Sequence, residues 1–171
     1  MLARARQQNL LWTGRTLQQA AVRGMSATTV GGHTEPDPYR DLSPTVLDHA
    51  LRPRNSGALS NFTGHARLTG PCGDTLEFWL LIREGRVEEV GFTTDGCGWS
   101  RACGSIATCL AEGKSIADAA AIRQQDILRA LGGLPPEVEH CALLAANTLK
   151  AACDDSLQEK VHRLDEASLN A

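Results

Sequence analysis

The chain has 171 residues, of which 42% are hydrophobic, 22% charged and 4% aromatic, enough for one domain with an appendage and a core that needs no covalent staples. Its net charge of −3 is unevenly spread: residues 1–34 carry four arginines and no acid, leaving 13 basic against 20 acidic residues in the remainder. An acidic body lacks the basic footprint of a nucleic-acid binder, the scarce aromatics argue against base-stacking surfaces, and no apolar run is long enough to span a bilayer.

Residues 1–38 form an arginine-bearing leader. Its composition suits a transit peptide, or equally an overlong reading frame whose working start is Met25. The scaffold of the fold is expected over 39–156, followed by a helical tail over 157–171. "DLSPTVLDHALRPRN" opens a helix, with Ser43 as N-cap and Pro44 at the first helical position. That helix stops before Pro53, because the residue preceding proline avoids helical geometry.

"HARLTG", "TLEFWLLIR" and "RVEEVGFTTD" read as strands, with a tight turn at Glu84-Gly85 between the second and third. Short links between consecutive strands predict an antiparallel meander. From Gly96 the period becomes helical. "SRACGSIATCLAEG" ends at Gly113, "SIADAAA" starts at Ser115 with Asp118 three residues on, and "QQDILRALGG" is short with a glycine stop. A last long helix follows Pro135-Pro136, runs past Lys150 and frays through "LQEKVHRLDEAS". Strands first and helices after predict an α+β domain: a three-stranded antiparallel sheet with helices packed on one face.

Six cysteines without a secretory signal are expected as reduced thiols, which favours metal or sulfur chemistry over a disulfide framework. Three stretches lie at element edges: "GPCGD" (70–74), "DGCGWS" (95–100) and "EHC" (139–141). In a meander the start of the second strand and the end of the third share one edge, so Cys72, Asp74 and Cys97 converge there. The last helix need only point its start at the same edge. Flanking glycines free these loops to turn tightly and keep side chains clear. Two or three thiolates, an imidazole and a carboxylate suit zinc or an iron–sulfur cluster better than magnesium or calcium. Singly, each residue also has a plainer reading. Asp74 can cap a turn, His140 can be a surface histidine, and Cys109 and Cys153 read as small core residues among alanines and leucines.

The ordered motifs "DHALRPRN" (48–55), "PCGD" (71–74), "GCG" (96–98), "GKS" (113–115), "LPP" (134–136) and "HC" (140–141) resemble the iron–sulfur cluster assembly scaffolds, the IscU-like proteins and NifU N-terminal domains. The resemblance covers Leu42 to Asp155, about two-thirds of the chain. It implies a carrier rather than an enzyme, building a transient [2Fe–2S] cluster from iron and from sulfur supplied by a cysteine desulfurase. Acceptor apo-proteins then receive the cluster. It also implies Cys72, Cys97 and Cys141 as thiolate ligands, with His140 and Asp74 completing the site and both His140 and Cys141 facing its mouth. Asp74, the harder donor, would keep the cluster transferable. Cys141 is the expected sulfur acceptor, activated by its place at a helix start. A zinc-binding sulfur-transfer protein is the alternative. A Cys/His/Asp hydrolase finds no nucleophile motif.

Three departures qualify the resemblance. The family's LPPVK, read by an Hsp70-type chaperone, is "LPPEV" here, and Glu137 in place of an apolar residue argues against that docking. Cys103 stands where relatives carry a small residue; a packing thiol is the favoured reading, a spare ligand or sulfur relay the other. No NifU-type further cysteine domain follows, which reads as a stand-alone scaffold. Dimerisation on cluster loading is left open. The broken chaperone motif favours a cytoplasmic setting, with the mitochondrial matrix as the alternative if residues 1–34 are a transit peptide.

Overall fold

A computed structural model of the protein describes residues 42–169, with side chains described as far as 159. The expected leader lies outside the described residues. The elements are α1 (Pro44–Leu51), β1 (Gly64–Thr69), β2 (Thr75–Arg83), β3 (Arg86–Thr94), α2 (Gly98–Ala111), α3 (Ile116–Ala120), α4 (Gln124–Leu131), a 3-10 turn (Pro136–Val138) and α5 (Glu139–Leu169). The meander and most helix limits agree with the sequence reading, but α5 continues as helix to Leu169 where fraying was expected. Helix α5 runs without a break through residue 157, so the described part of the expected tail is its last turns.

The boundaries follow from local chemistry. The Ser43 hydroxyl accepts the Val46 N–H at 3.2 Å, capping α1. Glu84 and Gly85 both have positive φ, 51° and 73°, which the two-residue hairpin turn between β2 and β3 requires. Ser115 caps α3 by accepting the Asp118 N–H, as its spacing predicts.

The sheet is antiparallel with β2 in the centre, pairing Thr69 with Thr75 and Leu76 with Thr94 at one end. Leu76, Phe78 and Leu80 alternate onto one face and are wholly buried. Helix α2 lies against that face so closely that a Cβ on Gly104 would strike the Phe92 ring at 2.5 Å. Helix α5 crosses the same face over β1, where a Cβ on Gly64 would meet Ser156 Cβ at 2.7 Å. The helices therefore sit on one face, as expected. The free edge of β3 is paired through Asn55 and Gly57, which bond to the Phe92 backbone, and the opposite face is covered in part by Leu59 packing over Gly91. Burying this much aliphatic and aromatic surface is what holds the layers together, at about 25 cal/mol per Å² of apolar area.

Two thiols separate here. Cys103 and Cys153 have no exposed surface and pack in the core, in keeping with their reading as packing residues. Cys109 is exposed, which corrects the expectation of a buried residue. Its neighbours Thr108 and Ala111 take the inward positions of α2, and the helical turn leaves Cys109 facing out.

Candidate metal-binding site

At the edge where β2 begins and β3 ends, a small hydrogen-bond frame fixes two loops. The β1–β2 turn closes with Gly70 N–H donating to the Asp74 carbonyl at 2.8 Å, and Gly73 adopts a φ of 88° that glycine favours. The Asp95 carboxylate accepts the Thr75 N–H at 2.6 Å. That backbone bond holds the Asp95 carboxyl below the usual range. The Thr94 hydroxyl donates to the Thr75 carbonyl at 2.7 Å and accepts the Gly96 N–H at 3.0 Å. Asp74 is thus delivered beside Gly96 and Cys97.

Cys97 occupies the N-cap position of α2, yet its thiol makes no capping bond and is exposed. Cys141, in the first turn of α5, is 1% exposed. Ligand atoms of Asp74, Cys97 and Cys141 all lie within 4.8 Å of one another. Such a spacing lets one metal centre be reached by all three. The set runs from an exposed thiol through a half-buried carboxylate to a buried thiol, so the Cys97 end is the exposed one.

Cys72 is exposed at the tip of its turn, and His140 is half-buried. Neither falls within the 4.8 Å group among the described residues. Cys72 is near enough for its charge to act on Cys141. His140 and Cys141 are consecutive residues of the regular helix α5, so their side chains diverge by about 100°, against the expectation that both face the mouth of the site.

The expected activation of Cys141 by the helix start is corrected. Burial pushes its thiol up to about 11, and the charges of Cys97, Cys72 and Asp74 push the same way, against the contact with the Ser100 hydroxyl. Removal from water outweighs the helix end. Burial likewise pushes the Cys103 thiol well up, with Cys141 and Cys97 adding to the effect.

Ser100 is the residue that sequence reasoning missed. Its hydroxyl donates to Asp74 Oδ2 at 2.5 Å and lies 3.4 Å from Cys141 Sγ, linking two of the three clustered groups. The available signal was its place three residues after Cys97, one turn into α2. Beside the thiol of Cys97, α1 and α2 enclose a groove of about 510 Å³ lined by Val46, Leu47, Ala50, Trp99 and Arg101.

Residues 41–162 match the family model described as the NifU-like N terminal domain. The chain is 35% identical over 130 residues to the iron-sulfur cluster assembly scaffold protein IscU 1 of Archaeoglobus fulgidus, covering 74% of this chain and 85% of that protein. It is 40% identical over 126 residues to the scaffold protein IscU of Aquifex aeolicus, covering 72% and 80%. It is 37% identical over 147 residues to the mitochondrial iron sulfur cluster assembly protein 1 of Kluyveromyces lactis, covering 82% and 81%. In fold it is similar to the N-terminal NifU-like protein of Brucella abortus, with a TM-score of 0.55 at 18% identity over 68% of this chain and 94% of that one. The chain belongs to the NifU-like N-terminal domain family, which takes in the IscU-type scaffold proteins.

Proposed function

We propose that the protein builds a [2Fe–2S] cluster at the edge of its sheet and hands it to acceptor apo-proteins. Its IscU relatives are named as assembly scaffolds, and a scaffold rather than an enzyme is the role this chain shares with them. The observation that carries the reading is the convergence of Asp74, Cys97 and Cys141 on one point, exposed at its Cys97 end. Thiolates hold iron firmly and a carboxylate oxygen less so, which suits cargo that must leave.

In this reading Cys72 and His140 complete the ligand set from the rim, and the iron is substrate rather than resident cofactor. Sulfur comes from a cysteine desulfurase as a persulfide. Cys141, whose thiol is pushed up to about 11 by burial, first gives up its proton. Its sulfur then attacks the outer sulfur of the persulfide, the S–S bond breaks, and the desulfurase cysteine leaves as thiolate and takes up a proton. Each transferred sulfur then takes two electrons from an external reductant to become sulfide. Cys141 is taken as the acceptor because it is buried beside Asp74 and Cys97, so sulfur placed on it stands within reach of both donors.

Glu137 is exposed on the 3-10 turn, while Leu134 is buried and Val138 packs against the core. A negative charge at the exposed centre of "LPPEV" opposes an Hsp70-type chaperone that reads an apolar residue there. Release then relies on the acceptors themselves. Two thiolates and a carboxylate also suit zinc, which defines the competing sulfur-transfer reading. Relatives are found in bacteria, an archaeon and yeast mitochondria, and among the described residues no helix is long and apolar enough to cross a membrane. We assign a cytoplasmic setting, with the mitochondrial matrix following if the leader is a transit peptide. Anaerobic reconstitution with iron, sulfide and reductant tests the function. Visible absorbance supports the scaffold, whereas retained zinc with sulfur uptake and no absorbance supports sulfur transfer.

A further inference from the structure

We infer that Ser100 is a positioning residue of this site, its hydroxyl holding the Asp74 carboxylate in the orientation from which it meets metal beside Cys97 and Cys141. The inference rests on the reading of Asp74 as a ligand. Four observations carry it. Ser100 has no exposed surface, and a buried hydroxyl needs a partner; the partner is Asp74 Oδ2, at 2.5 Å. Gly96 closes over the same pair, where a Cβ would stand 2.6 Å from Asp74 Cγ and 2.8 Å from Ser100 Cβ. The carboxylate is therefore seated in a cradle that only glycine leaves open. Finally, the same hydroxyl lies 3.4 Å from Cys141 Sγ, so one side chain touches two of the three clustered groups.

The consequence is geometric. A half-buried aspartate at a sheet edge is otherwise free to turn to water, and ordering it costs rotamer entropy. A hydrogen bond to a carboxylate is about twice as strong as one between neutral groups, and it fixes the side chain before metal arrives. It also takes up one lone pair of Oδ2, which favours Oδ1 as the donor to metal. Asp74 is then a one-oxygen ligand, held in reach and easily surrendered.

Cobalt(II) titration of the reduced full-length protein tests this, because its spectrum separates thiolate charge-transfer bands from the d–d bands that respond to the oxygen donor. Ser100→Ala should weaken cobalt binding about tenfold and shift the d–d bands as Asp74→Ala does, with the thiolate bands kept. In an Asp74→Ala background the same change should cost less than twofold, since residues in one network are not additive. Gly96→Ala puts a methyl group against both Asp74 and Ser100 and so disturbs the same contact. It should reproduce the loss without adding to that of Ser100→Ala, and it keeps the test decisive if Ser100→Ala does not fold. Equal losses from Ser100→Ala with and without Asp74 would overturn the inference while leaving Asp74 a ligand. Unchanged cobalt binding in Asp74→Ala would overturn the ligand reading and the inference together.

Discussion

His49 Nδ1 lies 2.7 Å from Ser105 Oγ, a buried contact that joins α1 to α2 across 56 residues of sequence. The same hydroxyl accepts the Arg54 N–H at 2.8 Å, so its own hydrogen is free for the unprotonated Nδ1 of a neutral imidazole. This gives "DHALRPRN" a structural purpose: its histidine and second arginine are both pinned to one buried serine behind Cys97. Replacing Ser105 by Ala strands two groups and should cost about 2 kcal/mol in urea unfolding, from the lost bonds and the unsatisfied partners. An unchanged midpoint contradicts this anchoring.

Burial lowers the His49 pKa, and the Arg54 charge lowers it further, against the neighbouring Asp48. The folded pKa thus lies below the unfolded value near 6.5. The stability from a neutral His49 is fully present above that value and is lost as pH falls through the folded pKa. The melting temperature should therefore drop on acidification below about 6.5, and His49→Gln should flatten that part of the profile. A His49→Gln profile as steep as wild type contradicts the assignment.

Replacing Cys72, Cys97 or Cys141 singly by Ala should abolish cluster reconstitution, read as visible absorbance. Cys109→Ala and Cys153→Ala should keep it. Their stabilities should differ, since Cys109 is exposed and Cys153 wholly buried: near zero for the first, about 1 kcal/mol for the second. A normal cluster in Cys97→Ala defeats the site assignment.

Asp74→Ala removes the harder donor and a negative charge from a thiolate-rich site. Its cluster should persist longer in air and pass more slowly to an apo-ferredoxin. Faster decay in the variant would reduce Asp74 to a residue of its turn.

Trapping of the persulfide formed with a cysteine desulfurase should place it on Cys141. Recovery on Cys103 instead would make the buried α2 thiol a sulfur relay rather than a packing residue.

Much of this architecture was legible because it is written in local chemistry. The apolar run in 75–83, the proline after Arg52 and the glycines at 85 and 113 bound their elements with little help from tertiary structure. The convergence of Asp74 with Cys97 followed from meander geometry alone, since Leu76 and Thr94 are paired. Three features were not legible. Which way Cys109 faces depends on the phase of α2 against the sheet, and neighbours in sequence do not report phase. The burial of Cys141 depends on how α5 docks, and it reverses the local effect of a helix start on its thiol. Ser100 is one ordinary helical serine until the fold brings Asp74 against it from 26 residues away.

The central claim, that Asp74, Cys97 and Cys141 lie at the core of a site for a transferable cluster, is tested most directly by anaerobic reconstitution. Iron, sulfide and reductant are supplied to the full-length protein, iron and sulfide are quantified, and the visible spectrum is followed as apo-ferredoxin is added. The account predicts two irons and two sulfides per cluster, with absorbance that moves from the scaffold to the ferredoxin. A colourless protein that keeps zinc under these conditions, and still accepts persulfide sulfur, would contradict it.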